Sequence, residues 1–151
     1  MLALLNADLD EDERLEISGI LDSYLLRRAV CNLGAKNYNR VFLTLTRNLR
    51  NEGFSAAGLK KHLLTQTGES NVWPDDATFR DAWLHKPLYG PLNSPKLIHL
   101  FGRPNQTFMS AKSERVVFTD APTVEHIMPQ TWIENWPLAD GSQRIEFMAL
   151  S

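Results

Sequence analysis

The stretch YNRVFLTLTRNLRNEG, residues 38–53, decides the fold of this chain because it carries a clear helical pattern. Its large apolar residues recur at i, i+3, i+4, i+7 and i+11: Tyr38, Val41, Phe42, Leu45 and Leu49. This spacing places them on one face of an α-helix, and Gly53 is a typical residue just past a helix end. The stretch therefore predicts an amphipathic helix whose apolar face other elements must cover.

Four further helices are predicted on either side of this stretch. They run from Asp10 to Asn32, from Ser55 to about Gln66, from Asp75 or Asp76 to Lys86, and from Ser94 or Pro95 to Gly102. Lys86-Pro87 ends the fourth helix because the residue before a proline avoids helical geometry, and Gly102-Arg103-Pro104 is predicted to end the fifth. Residues 115–118 and 123–127 favour two short strands. The chain is thus predicted to be mainly α, with a helical body in residues 1–105 and a short β-containing unit in residues 106–151.

The composition is that of an ordinary globular chain with a hydrophobic core. The 151 residues are 43% hydrophobic and 23% charged, which also fits one compact domain overall. Cys31 is the only cysteine, so no internal disulfide and no cysteine-rich zinc site can form, and a cytoplasmic location is expected. No signal peptide is evident and no apolar run approaches the roughly 20 residues that span a bilayer, so no membrane partner is expected.

Charge is distributed unevenly along the chain, although the net charge is only −2 and the whole chain is no basic nucleic-acid binder. Acids dominate residues 8–16. Residues 27–61 carry eight basic side chains against Glu52 alone: Arg27, Arg28, Lys36, Arg40, Arg47, Arg50, Lys60 and Lys61. If these side chains share one face, that face would meet phosphates. The alternative is a set of solvated helix faces.

The strongest candidate for chemistry is the segment Val124-Glu125-His126-Ile127-Met128-Pro129. A histidine can take a proton from water, and an adjacent carboxylate can hold a divalent metal against a phosphate. Neighbouring side chains on a strand point to opposite faces, so both reach one site only if the backbone turns, as Pro129 suggests. The alternative is that Glu125 and His126 are exposed loop residues. Phosphate-binding loops of the Walker type and GxSxG elbows are absent from the sequence, so ATP or GTP hydrolysis is unsupported.

Several separated segments together resemble one protein family. They are residues 24–31 with the Arg27-Arg28 pair, residues 36–42, residues 73–76, residues 87–89, residues 124–130 and Trp136. In this order they are similar to the C-terminal domain of GmrSD-type restriction endonucleases, which are modification-dependent DNA-cleaving systems of phage defence. The resemblance covers roughly residues 15–140.

This resemblance implies a histidine–metal finger, a ββα nuclease unit of the HNH-like kind. His126 would be the general base that activates water, and Glu125 would help to hold Mg²⁺ or a similar divalent metal. Arg27 and Arg28 match a family pattern, and they would either contact DNA or brace the fold, of which bracing is the favoured interpretation. The implied partners are DNA, with a modified base, and an N-terminal nucleotide-dependent domain that nothing in this sequence matches.

The family pattern continues past the signature to a helix whose Asn or His completes the metal site, and this sequence stops before that helix. We therefore expect an incomplete finger that shows little or no cleavage alone. We also expect exposed apolar surface from Ile127, Trp132 and Trp136, which would lead either to a homodimer or to disorder of the hairpin. The main alternative is a non-catalytic helical module that binds protein or DNA, a remnant of a nuclease. A toxin-like nuclease or an RNase is a third interpretation, because the metal chemistry acts on either phosphodiester.

Overall fold

The computed structural model describes residues 7–110, 112–114, 120, 122 and 123. Within these residues the chain is mainly helical, as predicted, with five helices and no β-strand. The helices are α1, Glu11–Val30; α2, Tyr38–Glu52; α3, Ala56–Leu64; α4, Asp76–His85; and α5, Ser94–Phe108. The two predicted strands, residues 115–118 and 123–127, lie outside the described residues except for Thr123. The chain divides into two compact units, residues 1–83 and 84–151. The predicted boundary near residue 105 stays a prediction.

The core of the first unit is formed where α3 packs against α1 and α2. Its buried residues are Ile17, Ile20, Tyr24, Val41, Leu45, Leu49, Ala56, Leu59 and Leu63. Three of the apolar positions that predicted α2 are in this cluster, and Tyr38 and Phe42 pack against it partly buried. Burying a side chain of the size of leucine stabilises a fold by about 1.5–3 kcal/mol, so this shared apolar face holds the three helices together.

Side-chain caps fix the beginnings of the helices, mostly where the sequence predicted them. The Ser55 Oγ accepts a hydrogen bond from the Gly58 amide at 3.1 Å, and the Asp10 carboxylate accepts one from the Glu13 amide at 2.7 Å. Each such bond pairs a backbone N–H that the helix itself leaves unpaired. The Glu13 Oε1 of α1 also accepts from the Ala56 amide at 2.5 Å, so α1 supplies a second acceptor at the N-terminus of α3.

Asp75, rather than Asp76, is the residue that caps α4. Its Oδ1 accepts a hydrogen bond from the Thr78 amide at 2.8 Å. The hydrogen bonds from the Thr78 backbone and side chain stabilise the ionised carboxylate, and they hold the pKa of Asp75 below its ordinary value of 3.8. The cap therefore resolves the alternative that the sequence left open.

The predicted end of the fifth helix is wrong. Gly102-Arg103-Pro104 does not stop α5, which continues to Phe108 with Pro104 inside it. A proline removes one backbone N–H and crowds the preceding turn, but its fixed φ suits the first residue of a new helical turn. The Thr107 Oγ1 donates a hydrogen bond to the Pro104 carbonyl at 2.7 Å, within the turn that follows the proline. The start agrees with the sequence, since the Asn93 side chain accepts from the Lys96 amide just before Ser94.

Candidate functional site

The Arg27-Arg28 pair lies near the C-terminal end of α1, and its two side chains have different surroundings. Arg28 is fully buried. Its guanidinium donates to four backbone carbonyl oxygens: those of Val72 at 2.8 Å, Gly34 at 2.8 Å, Ser70 at 2.9 Å and Glu69 at 3.4 Å. A buried charge needs such partners, because removal from water is costly unless every donor is bonded. Arg28 therefore ties the loop between α3 and α4 to α1.

Two tyrosine rings complete the surroundings of Arg28. Its guanidinium carbon lies 5.6 Å from the centre of the Tyr24 ring and 5.5 Å from that of Tyr38, within the range of cation–π attraction. The Tyr24 hydroxyl donates to the Asn71 carbonyl at 2.9 Å, which is a second tie to the same loop. Burial raises the pKa of Tyr24 above its ordinary value of 10.0, and the Tyr38 hydroxyl raises it further, while the charge of Arg28 lowers it.

Arg27 lies closer to the surface and contacts the residues that lead into α4. Its guanidinium donates to the Pro74 carbonyl at 3.1 Å and to the Asp76 carboxylate at 2.5 Å. The same group lies 5.2 Å from the centre of the Phe79 ring and 5.9 Å from that of Trp73. Because Asp76 is 92% exposed, this ion pair is strongly screened by water.

A cavity of about 550 Å³ opens beside Arg27. Its lining includes the basic side chains of Arg27 and Lys60, the acidic side chains of Glu16 and Asp76, and the ring of Trp73. Since both signs of charge are present in equal number, the cavity has no clear preference for an anion over a cation. The lining residues therefore do not indicate a particular ligand, and the cavity does not by itself define a catalytic site.

These contacts favour the bracing interpretation of the pair. The Arg28 donors are bonded to four backbone carbonyls and to the Tyr38 hydroxyl, so a phosphate would reach this guanidinium only if the loop moved away. Contact of Arg27 or Arg28 with DNA stays a prediction. The sequence indicated the arginine pair, but it gave no signal for the acceptors, because every residue carries a backbone carbonyl and none marks itself as a partner.

Glu125 and His126 lie outside the described residues, so the predicted metal and general-base positions stay predictions. Within the part of the chain that the structure describes, no group of three or more His, Cys, Asp or Glu side chains is arranged to hold a metal ion. His62, on α3, lies with its Nε2 at 3.1 Å from the Glu52 carboxylate. No helix among the described residues is long and apolar enough to cross a membrane.

Residues 73–148 match the family model described as GmrSD restriction endonucleases, C-terminal domain. The match spans just over half of the 151 residues. The chain belongs to this family. No curated protein and no solved structure matches the chain.

The GmrSD match confirms the family that the sequence resembled. It includes Glu125 and His126 and begins at Trp73, the residue whose ring packs 5.8 Å from that of Tyr24. Residues 24–31 and 36–42, which also carried the resemblance, precede the matched range. The arginine pair of α1 therefore lies outside the matched range, but it binds the backbone directly before and after the first matched residue.

Proposed function

We propose that this GmrSD-family chain is part of a metal-dependent DNA endonuclease of a phage-defence restriction system, in which His126 activates the attacking water. The observation that carries the proposal is the family match over residues 73–148, which includes both Glu125 and His126. In this proposal a ββα finger, of which this chain holds the hairpin, presents the two side chains. DNA is the substrate, and an N-terminal nucleotide-dependent domain is the partner.

The chemistry of the two side chains fits a divalent metal. A carboxylate oxygen such as that of Glu125 is a preferred ligand of Mg²⁺, and an imidazole such as that of His126 accepts a proton near neutral pH. The metal, when bound, would stabilise the charge that develops on the phosphate and on the leaving oxygen. Glu125 would hold the metal in place, and the His126 ring would take the proton from the attacking water.

The role we assign to the arginine pair follows from its contacts. Arg28 fixes residues 69–72, and Arg27 fixes Pro74 and Asp76. The pair thus holds the residues on either side of Trp73, where the range matched by the family model begins. Of the two, Arg27 is the one whose side chain is partly exposed, at 21%, and any DNA contact by the pair would be made by Arg27.

The test is a plasmid-cleavage assay with Mg²⁺ or Mn²⁺ on modified and unmodified DNA. It compares this chain, a version extended at its C-terminus, and both with His126→Ala. We expect little or no cleavage by the chain alone, cleavage by the extended form, and a loss of about 10²–10⁴-fold in rate on His126→Ala, the usual contribution of a general base. Measuring the cleavage of an RNA substrate by the same proteins distinguishes a DNase from an RNase.

His62→Ala is the matched control, because it removes a histidine of the first unit whose ring is paired with Glu52. It should leave the rate within about twofold, because the proposal gives His62 no part in cleavage. Cleavage that survives His126→Ala, or that falls equally in both variants, would contradict the assignment of His126 as the base.

A helical DNA-binding module without catalysis is the second candidate function. The observation that favours it is that Arg40, Arg47 and Arg50 are exposed on α2. This helix precedes residues 73–148, which the family model matches. Binding of duplex DNA without cleavage by any of these forms would support this candidate over the first.

A further inference from the structure

The outer face of α2 carries three arginines in one row. Taking about 100° per residue, Arg40, Arg47 and Arg50 fall within an arc of about 80° on the helix surface. All three are exposed, and Leu43 between them is 70% exposed. The opposite face holds the buried Val41, Leu45 and Leu49, so the row points away from the core. We call Arg40, Arg47 and Arg50 the arginine row.

The arginine row has no carboxylate partner among the described residues. The one acid on α2, Glu52, lies on the other side of the helix and contacts His62 at 3.1 Å. None of the three arginines forms an ion pair with a carboxylate among the residues that the structure describes. By contrast, the guanidinium groups of Arg27 and Arg28 donate hydrogen bonds to acceptors within the protein. The positive charge available to a partner in residues 38–52 is therefore concentrated on one exposed face.

We propose that the arginine row binds the phosphate backbone of duplex DNA. The inference rests on the proposed function, and it assigns DNA positioning to a face that lies outside residues 73–148. With a rise of 1.5 Å per residue, the row extends about 15 Å along the helix, so its three guanidinium groups can reach separate phosphates of one strand. Thr44 and Asn51 lie on the same face, and their side chains are of the kind that also donates to phosphate oxygens.

Backbone contacts of this kind position a duplex but carry no sequence information. The row would therefore hold DNA of any sequence, which suits a protein whose choice of modified sites is made elsewhere. An acidic protein surface is the competing occupant. The exposed hydroxyl of Thr44 and the exposed amide of Asn51 beside the three arginines favour a nucleic acid, because such side chains also donate to phosphate oxygens.

The experiment is fluorescence anisotropy with a labelled duplex, measured across a series of salt concentrations. The test variant is Arg40→Gln/Arg47→Gln/Arg50→Gln. Each lost phosphate contact should make the slope of log K against log salt less steep by about 0.9, so three contacts change it by about 2.7. The same counterion arithmetic gives roughly 500-fold weaker binding at about 0.1 M salt.

The matched control removes the same number of charges from other exposed positions of the first unit: Lys60→Gln/Lys61→Gln/Arg80→Gln. It should weaken binding less than threefold and leave the salt slope nearly unchanged. Thermal unfolding of both variants should stay close to that of the parent chain, because all six side chains are exposed. An equal loss in both variants would show that net charge, and not the row, governs binding, and would overturn the proposal.

Two further outcomes also decide the matter. If the parent chain does not bind duplex DNA, or if a labelled poly-glutamate peptide binds the row as tightly as DNA does, the proposal is overturned. If the row is required for binding but His126→Ala does not change cleavage, the inference about the row stands and the proposed catalytic role of His126 fails. The two proposals can therefore fail separately.

Discussion

Arg28 shows how a charged side chain can be buried in a small helical unit. Backbone carbonyls of four residues and the Tyr38 hydroxyl, rather than a carboxylate, accept hydrogen bonds from its guanidinium. Two tyrosine rings lie beside this group. The planar fork of an arginine fits this set of acceptors, whereas a lysine offers one compact charge with fewer directed donors. Stability at this position thus depends on the shape of the side chain as well as on its charge.

We expect Arg28→Ala to lower the free energy of unfolding by about 3–5 kcal/mol, because several buried carbonyls lose their donor and each unpaired buried acceptor costs about 1–3 kcal/mol. Arg28→Lys should recover only part of this loss. Urea denaturation followed by circular dichroism measures both. The adjacent Arg27→Ala is the matched control. It should cost less, about 1–2 kcal/mol, because water screens its ion pair with Asp76 and its main further loss is the bond to the Pro74 carbonyl. Equal losses for the two alanine variants would contradict the bracing role assigned to Arg28.

Tyr24 gives a dependence of stability on alkaline pH. Burial raises the pKa of its hydroxyl above 10.0, so the folded state holds this proton more tightly than the unfolded state does. The stabilisation is fully present below pH 10.0 and is lost as pH rises through the folded pKa.

Tyr24→Phe should remove this part of the pH dependence, and it should also cost about 1 kcal/mol at neutral pH through the lost bond to Asn71. The measurement is the free energy of unfolding of both proteins between neutral and alkaline pH. The difference between them should shrink as pH rises above 10.0. A difference that grows with pH would show that the assigned direction of the pKa shift is wrong.

At the scale of the elements, α2 is the helix that the sequence predicts best, because its pattern is local and repeats over several turns. Leu45 is buried at 4% exposure and Leu43, two residues earlier, is 70% exposed. Leu45→Ala should therefore cost about 2–5 kcal/mol of unfolding free energy, through lost burial and the cavity left behind. Leu43→Ala should stay within about 0.5 kcal/mol. Chemical denaturation of the pair is the measurement, and similar costs would mean that the two faces of α2 are misassigned.

The helix starts were largely predictable, since a cap such as Ser55 or Asp75 acts within three residues of its own position. The end of α5 was not predictable from the sequence. Pro104 costs one backbone hydrogen bond, but whether the residues after it continue the helix depends on more than the proline itself. The surroundings of Arg28 were not predictable either. Three of its four carbonyl acceptors come from residues about 40 positions away along the chain, and any residue type can supply a backbone carbonyl. The roles of Glu125 and His126 stay predictions from sequence alone.

For the whole molecule, binding and cleavage are assigned to different parts of the sequence. The arginine row lies in residues 38–52, within the unit of residues 1–83, whereas Glu125 and His126 belong to residues 84–151. A substitution in the row should weaken DNA binding, and a substitution of His126 should abolish cleavage while binding persists. The family match crosses the division between the units, because it begins at Trp73.

The four backbone carbonyls that bind Arg28 also affect which substitutions this sequence can accept during evolution. Because the acceptors are main-chain atoms, the exposed Glu69 can be exchanged for most other residues while its carbonyl still binds the guanidinium. Arg28 has no such freedom, since no other side chain offers the same fork of donors. Substitutions of Glu69 in the loop should therefore be tolerated, whereas substitutions of Arg28 in α1 should be selected against. Over evolution the loop residue should vary and the arginine should be retained.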